Sequence, residues 1–294
     1  MTIPLLSWLP VIALPLGALL LMPASIPAWE AMWLLAINVF AGVKWLSWAS
    51  VRKSVSRAAD WRRHLAYFLA WPGLDAEAFL SPARLTAAIR PQTREWTLAI
   101  LKTTAGAVLF WGVARLAYPL HPLAAAWVGM VGVGLMLHFG VLHLLSCVWR
   151  TRGVNARRLM NNPLAAASVS DYWGKRWNTA FRDLAHRFIF RPVSKRLGTT
   201  AALWSVFLFS GVVHDLVISA PAGGGYGLPT LFFLIQALAI EIEHSPLGKN
   251  LGLGRGIRGW LFTMLALAVP VGLLFPLPFL RNIVLPMMEA MGAI

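Results

Sequence analysis

The run TAALWSVFLFSGVVHDLVIS, residues 200–219, decides what kind of molecule this is. It has the ~20 residues a helix needs to cross a bilayer core. Its only ionisable side chains are the neighbours His214 and Asp215. A titratable group in such a segment is costly, and usually marks a site of function. Outward from it, comparable apolar runs occupy 3–22, 28–48, 97–118, 123–148, 228–243 and 257–280. The sixth in chain order is short, and the seventh is interrupted by Pro270, Pro276 and Pro278. The chain is 58% hydrophobic and 13% charged, about half the charge of a soluble domain. These features predict an all-α integral membrane protein, a polytopic bundle of about seven (six to nine) transmembrane helices in one domain, 1–294. Met1 to Met22 lacks a basic leader, which predicts an uncleaved first span.

A net charge of +15 raises nucleic acid as a partner, and the placement of the charges argues against it. Of the 26 Lys and Arg, segment 49–96 holds eight, including Arg57 and Arg84, segment 149–199 eleven, and 244–258 three. The intervening loops hold none. Basic residues concentrated in alternate loops are the positive-inside pattern, which predicts a cytoplasmic N-terminus. Membrane lipids, and no nucleic acid, are the partners this pattern implies.

The segment 149–199 is too polar to span and too aromatic for a free linker. Ser168-x-x-Asp171 resembles a capping box. After it Trp173, Trp177, Phe181, Leu184 and Phe188 recur at helical spacing, with Lys175, Arg182, Asp183, His186 and Arg187 mainly on other faces. The pattern predicts one amphipathic helix lying in the membrane interface, with Asp171 and Lys175 as an i, i+4 ion pair. Asn178, beside Trp177 at the edge of the apolar face, needs hydrogen-bond partners.

From the residues alone His214 has two readings. It could fasten two helices by bonding a neighbouring carbonyl, or, neutral in a dry site, act as general base toward a hydroxyl. It lies ~21 Å along a helix starting near residue 200. Asp215 projects about 100° away from it, and is therefore read as structural. A metal centre is not expected, because no two of the seven histidines are three or four apart, and Glu241-x-x-His244 is a single pair where a di-iron bundle uses two. Cys147, the one cysteine, reads as a packing residue. Gly223-Gly224-Gly225 reads as a flexible outer loop.

Three stretches together resemble the membrane-bound O-acyltransferase superfamily, in particular its wax synthase-like branch. Ser168 to Asn178, SVSDYWGKRWN, is similar to that branch's Ser-x-x-x-Phe-Trp-Gly-x-Arg-Trp-Asn block. Ser210 to Asp215, SGVVHD, is similar to its Ser-Gly-x-x-His-Glu block, and Trp71 to Asp75, WPGLD, to an upstream Pro-Gly-Met-Asp element of bacterial members. Tyr172, Asp215 and Leu74 depart conservatively from Phe, Glu and Met. The resemblance implies a bacterial inner-membrane enzyme that moves a fatty acyl group from acyl-CoA, a co-substrate with no bound cofactor, to the hydroxyl of a lipid alcohol. It implies His214 and Asn178 as catalytic residues, with segment 149–199 carrying the first half of the site. Beside the motif, Trp173 and Trp177 are candidates to contact substrate, and Lys175, Arg176 and Arg182 to pair with the CoA phosphates. The alternatives are acylation of another lipid, a sterol or an envelope glycan, and a non-enzymatic transporter or lipid-binding protein.

Overall fold

The computed structural model describes residues 4–55, 60–81 and 90–294; Arg57, Arg84 and the first residue of the expected span 3–22 lie outside them. The chain is 80% helical, with no strand among the described residues. Its principal helices are α1 (Leu5–Leu21), α2 (Ala28–Val55), α3 (Trp61–Ala70), α4 (Ala76–Leu80), α5 (Thr93–Ala117), α6 (Pro122–Thr151), α7 (Val169–Asp171), α8 (Thr179–Ala222), α9 (Leu228–His244), α10 (Pro246–Leu251), α11 (Gly256–Leu274) and α12 (Leu285–Ala290). Among these α2, α5, α6, α8 and α11 are long and apolar enough to cross a membrane. The other two expected spans are α1 and α9. Helix α9 has 17 residues, or ~25 Å at 1.5 Å per residue, short of a ~30 Å core.

Helix α8 has 44 residues, ~66 Å if straight and twice what a bilayer needs. Gly198 interrupts it with φ 87° and ψ 170°. That left-handed backbone is open to glycine and strained for other residues. The break puts the start of the apolar stretch at residue 199, where the hydrophobic run begins. Residues 179–197 before it keep Arg182, Arg187, Arg191, Lys195 and Arg196 exposed.

The chain divides into two compact units, Met1–Leu159 with Val284–Ile294, and Met160–Ile283. In the first, Lys44 of α2 is 1% exposed. Its ammonium donates to the carbonyls of Trp71 (2.5 Å) and Gly73 (2.8 Å), and lies 3.8 Å from the Tyr67 ring centroid. Ser47, one turn on, donates to the Leu74 carbonyl. Asp75 then caps α4 by accepting from the Ala78 amide at 2.9 Å. The Trp71–Asp75 element is thus an irregular segment whose carbonyls are satisfied by two side chains of a single helix.

In the second unit α9 is the central support. Phe207 of α8, Phe232, Phe233, Ala237, Ala239 and Ile240 of α9, and Val169 of α7 form its buried apolar core, with Trp173 and Trp204 packed against it. Gln236, fully buried on α9, donates to the Ala266 carbonyl of α11 at 2.8 Å and accepts from the Trp173 indole at 3.4 Å. Both sides of its amide are therefore used, as a polar group in an apolar core requires.

Candidate active site

The first half of the site begins at Ser168, whose hydroxyl accepts from the Asp171 amide at 2.9 Å and starts α7. The predicted cap is present. Helix α7 passes directly into a π turn, Tyr172–Arg176, closed by the Trp177 amide on the Tyr172 carbonyl at 2.8 Å. The extra residue in that turn changes which side chains meet. Asp171 pairs with Arg176, five residues on, at 2.5 Å. The expected pair with Lys175 is corrected, because a π turn brings i and i+5 together where an α turn brings i and i+4. Arg176 also donates to the Asn162 carbonyl at 3.1 Å, while Lys175 is exposed. Arg182 is paired with Asp183 at 3.1 Å and is exposed. Of the three proposed phosphate ligands, Arg176 is committed to holding the block together. Tyr172 is buried, which pushes its phenol up from the usual range and keeps it neutral.

The single amphipathic helix expected across 168–188 is corrected to two. Trp177 is extended, and Asn178 adopts left-handed backbone at φ 40° and ψ 62°. Asparagine tolerates that conformation better than most residues. Its Oδ1 accepts from the Phe181 amide at 3.2 Å, capping the start of α8. The capping bond uses the amide oxygen, so the donor Nδ2 stays out of it. Asn178 accordingly has a backbone role and a cap role that the sequence did not reveal.

The second half of the site lies on α8. His214 Nδ1 is 2.7 Å from the carbonyl of Ser210, one turn earlier. A carbonyl oxygen only accepts, so Nδ1 carries the proton and Nε2 keeps a free lone pair. Because the bond stays within one helix, it does not fasten two helices; it fixes the tautomer and the ring orientation. The His214 ring packs on Phe233 of α9 at 4.5 Å between centroids, and Phe233 packs in turn on Trp173 at 5.6 Å. Phe181, just after Asn178, stacks on Phe209 at 6.2 Å. The two sequence blocks therefore meet on α8 and α9 through aromatic side chains. Trp177 instead stacks on Tyr172, at 5.7 Å and 12°.

Gly211 lets α8 and α9 approach. A Cβ at that position would lie 2.6 Å from Thr230 Cα. Asp215 is structural, as its direction on the helix suggested. Its carboxylate accepts from the amides of Gly227 (2.8 Å) and Thr230 (3.0 Å), from the Thr230 hydroxyl, and from Ser219 at 2.9 Å. An anion at the amide-rich start of α9 is favoured by its helix dipole. The same Ser219 proton is shared with the Gly225 carbonyl, 3.2 Å away. The loop read as merely flexible is hydrogen-bonded into place at both ends.

Sequence reasoning missed Phe233, Gln236 and Glu243. The last is 3% exposed, and its signal was a carboxylate closing the apolar run 228–243. In the first unit Glu95, His143 and Cys147 bring ligand atoms within 4.8 Å of one another. The Glu95 carboxylate already accepts from Arg150 at 2.7 and 3.3 Å, with Arg158 at 3.6 Å. Two guanidiniums facing the same oxygens make this an ion-pair cluster that repels a further cation.

Residues 156–235 match the model of the membrane bound O-acyl transferase family, and both blocks fall inside that range. Over 140 residues the chain is 26% identical to the probable long-chain-alcohol O-fatty-acyltransferase 7 of Arabidopsis thaliana, covering 42% of this chain and 40% of that protein. It is 26% identical over 136 residues to the long-chain-alcohol O-fatty-acyltransferase of Simmondsia chinensis, covering 38% and 39%. The chain thus spans about two fifths of the length of the curated relatives it matches. The resemblance read from the two blocks is borne out.

Proposed function

We propose, from the match of residues 156–235 to the membrane bound O-acyl transferase family model, that this protein moves a fatty acyl group from acyl-CoA to the hydroxyl of an apolar acceptor. The observation that carries the reading is the tautomer of His214. With Nδ1–H held by Ser210, Nε2 is the basic nitrogen of a ring packed on Phe233. General base catalysis toward an alcohol needs that arrangement and contributes typically ~10²–10⁴-fold. Nε2 takes the acceptor's hydroxyl proton as the oxygen attacks the thioester carbonyl. The C–O bond forms and a tetrahedral oxyanion develops. It collapses with cleavage of the C–S bond, and the imidazolium returns its proton to the departing CoA thiolate. The products are an ester and free CoA. Asn178 Nδ2, left over from the cap, is the donor we assign to the substrate carbonyl or oxyanion. Lys175 and Arg182, exposed beside the block, are the cations we assign to the CoA phosphates.

The acceptor we favour is a long-chain alcohol, giving a wax ester. The lines of support are the names of the matched relatives and the loops 23–27, 119–122 and 220–227, which contain no Lys, Arg, Asp or Glu. A glycan-modifying site holds its substrate by convergent polar groups, whereas an alcohol dissolved in the bilayer needs only an apolar approach. The positive-inside pattern supports a cytoplasmic N-terminus. The test is a competition in proteoliposomes among hexadecanol, a sterol and a soluble sugar, with acyl-CoA as donor. Preferential esterification of hexadecanol is expected. Preference for the sugar overturns the acceptor assignment, and no CoA release with any acceptor overturns the enzyme.

A further inference from the structure

Glu243 lies at the far end of α9 from Asp215 and outside the family match. Its side chain is 1% exposed. Oε2 accepts from the Val169 amide at 2.7 Å, and Oε1 accepts from the Ser170 amide at 3.1 Å and from the Ser170 hydroxyl. Val169 and Ser170 are the first residues of α7, where backbone N–H groups have no partner within the helix. Ser168 satisfies the Asp171 amide and Glu243 satisfies the two before it, so the start of the first motif block is fully capped. A buried carboxylate in this position gains from charge-assisted hydrogen bonds to the free amides.

The same helix supports the second block. Its N-terminus is held by Asp215, the residue after His214, and Phe233 in its first half touches both Trp173 and His214. The position of α7 relative to His214 is therefore set on α9 at three places: Glu243, Gln236 and Phe233. Glu243 is the one that carries charge and bonds backbone, so it fixes where α7 begins and hence where the π turn delivers Trp173 and Asn178.

We infer that Glu243 is a positioning residue for the Ser168–Asn178 block, acting on turnover through the backbone of α7 and touching no substrate itself. The inference rests on the acyltransferase reading for its effect on rate, and on geometry alone for its effect on the block. Glu243→Gln is the sharp probe. The amide is isosteric, but one of its two polar atoms becomes a donor and faces a backbone N–H or the Ser170 hydroxyl. Ser170→Ala is the milder companion, because both backbone bonds remain. His244 lies 3.2 Å from the Ser170 hydroxyl and 3.5 Å from Glu243 Oε1 and is largely exposed, so His244→Ala is a second mild companion.

The experiment pairs steady-state kinetics with amide hydrogen exchange on the full-length protein in detergent. For Glu243→Gln we expect kcat to fall about tenfold or more with the KM for acyl-CoA within about twofold, since a small misplacement of catalytic groups costs rate and not binding. Ser170→Ala and His244→Ala should each lose at most a few-fold, since both backbone bonds to Glu243 remain. Exchange should accelerate in peptides covering 168–178 in Glu243→Gln, and stay unchanged in those covering 93–151, since local opening is reported segment by segment. Unchanged exchange at 168–178 overturns the inference whatever the kinetics. So does a rate loss matched by an equal loss of folded protein. If the wild-type protein has no acyl transfer, the functional reading fails by itself and the exchange result still decides the role of Glu243.

Discussion

Replacing Gly211 by alanine should separate the site's activity from the protein's stability. The new Cβ would sit 2.6 Å from Thr230 Cα and 3.1 Å from its Cβ, against the ~3.5–4.0 Å at which carbons pack. Helices α8 and α9 must then part by about 1 Å at this level, because the obstacle is backbone and cannot rotate away. Overpacking of this kind costs about 1–3 kcal/mol. Against it, alanine in a helix interior is favoured over glycine by roughly 0.5–1 kcal/mol. The gain offsets part of the cost, leaving a net loss of about 0–2.5 kcal/mol and a melting shift of a few degrees. Activity has no such compensation. Gly211 is three residues before His214, and the displacement falls on the His214–Phe233 contact and on the Asp215–Thr230 bonds. A misplacement of 1 Å can cost ~100-fold in rate. The assay is CoA release in proteoliposomes with parallel thermal unfolding, and Gly272→Ala, whose Cβ meets nothing within 4 Å, as control. Near-normal kcat in Gly211→Ala would refute the claim that α8–α9 spacing sets the geometry at His214.

We assign Asn178 two separable duties, the observed cap and the proposed donor to substrate. Asn178→Asp keeps the capping oxygen and a side chain tolerated in left-handed backbone, and loses the Nδ2 donor; we expect stability within about 1 kcal/mol of wild type but kcat lower by ~10²–10³, read from melting curves and turnover together. Asp215→Ala strands two backbone amides and the Thr230 hydroxyl, so thermal unfolding should show about 1–3 kcal/mol lost, with activity falling alongside the folded fraction. Lys44→Met removes the donor to two carbonyls of the Trp71–Gly73 segment, and should cost a similar amount in the same measurement. Lys175→Gln with Arg182→Gln should raise the KM for acyl-CoA and leave kcat intact; an unchanged KM would return both residues to topology alone.

Composition and hydrophobic runs made the helical membrane architecture legible because a bilayer demands long apolar stretches and little else. The start of the apolar half of α8 could be placed near residue 200 for the same reason, although the Gly198 backbone that enforces it could not. Two spacing arguments failed, one at a π turn and one at a left-handed residue. Asp171 meets Arg176 and not Lys175, since an α period of 3.6 miscounts a stretch with an extra residue per turn. The predicted interfacial helix breaks at Asn178, because the left-handed backbone there depends on the cap it makes to Phe181. His214 was legible as an ionisable group in an apolar run, and Asp215 as pointing elsewhere. Phe233, Gln236 and Glu243 were not, since their importance lies in which distant residues they touch: Trp173, Ala266, and the amides of Val169 and Ser170. Long-range partners leave no periodic trace in a single sequence.

The central claim is that the free Nε2 of His214 removes the proton from an acceptor hydroxyl. Its most direct test is turnover of acyl-CoA with hexadecanol by purified wild-type protein and His214→Ala, reconstituted at equal folded amounts confirmed by thermal unfolding. The account predicts ester and CoA formed in equal quantity by the wild type, and a loss of ~10²-fold or more in the variant with unfolding unchanged. A well-folded His214→Ala protein that keeps more than about a tenth of wild-type turnover, short of what general base catalysis contributes, would contradict it.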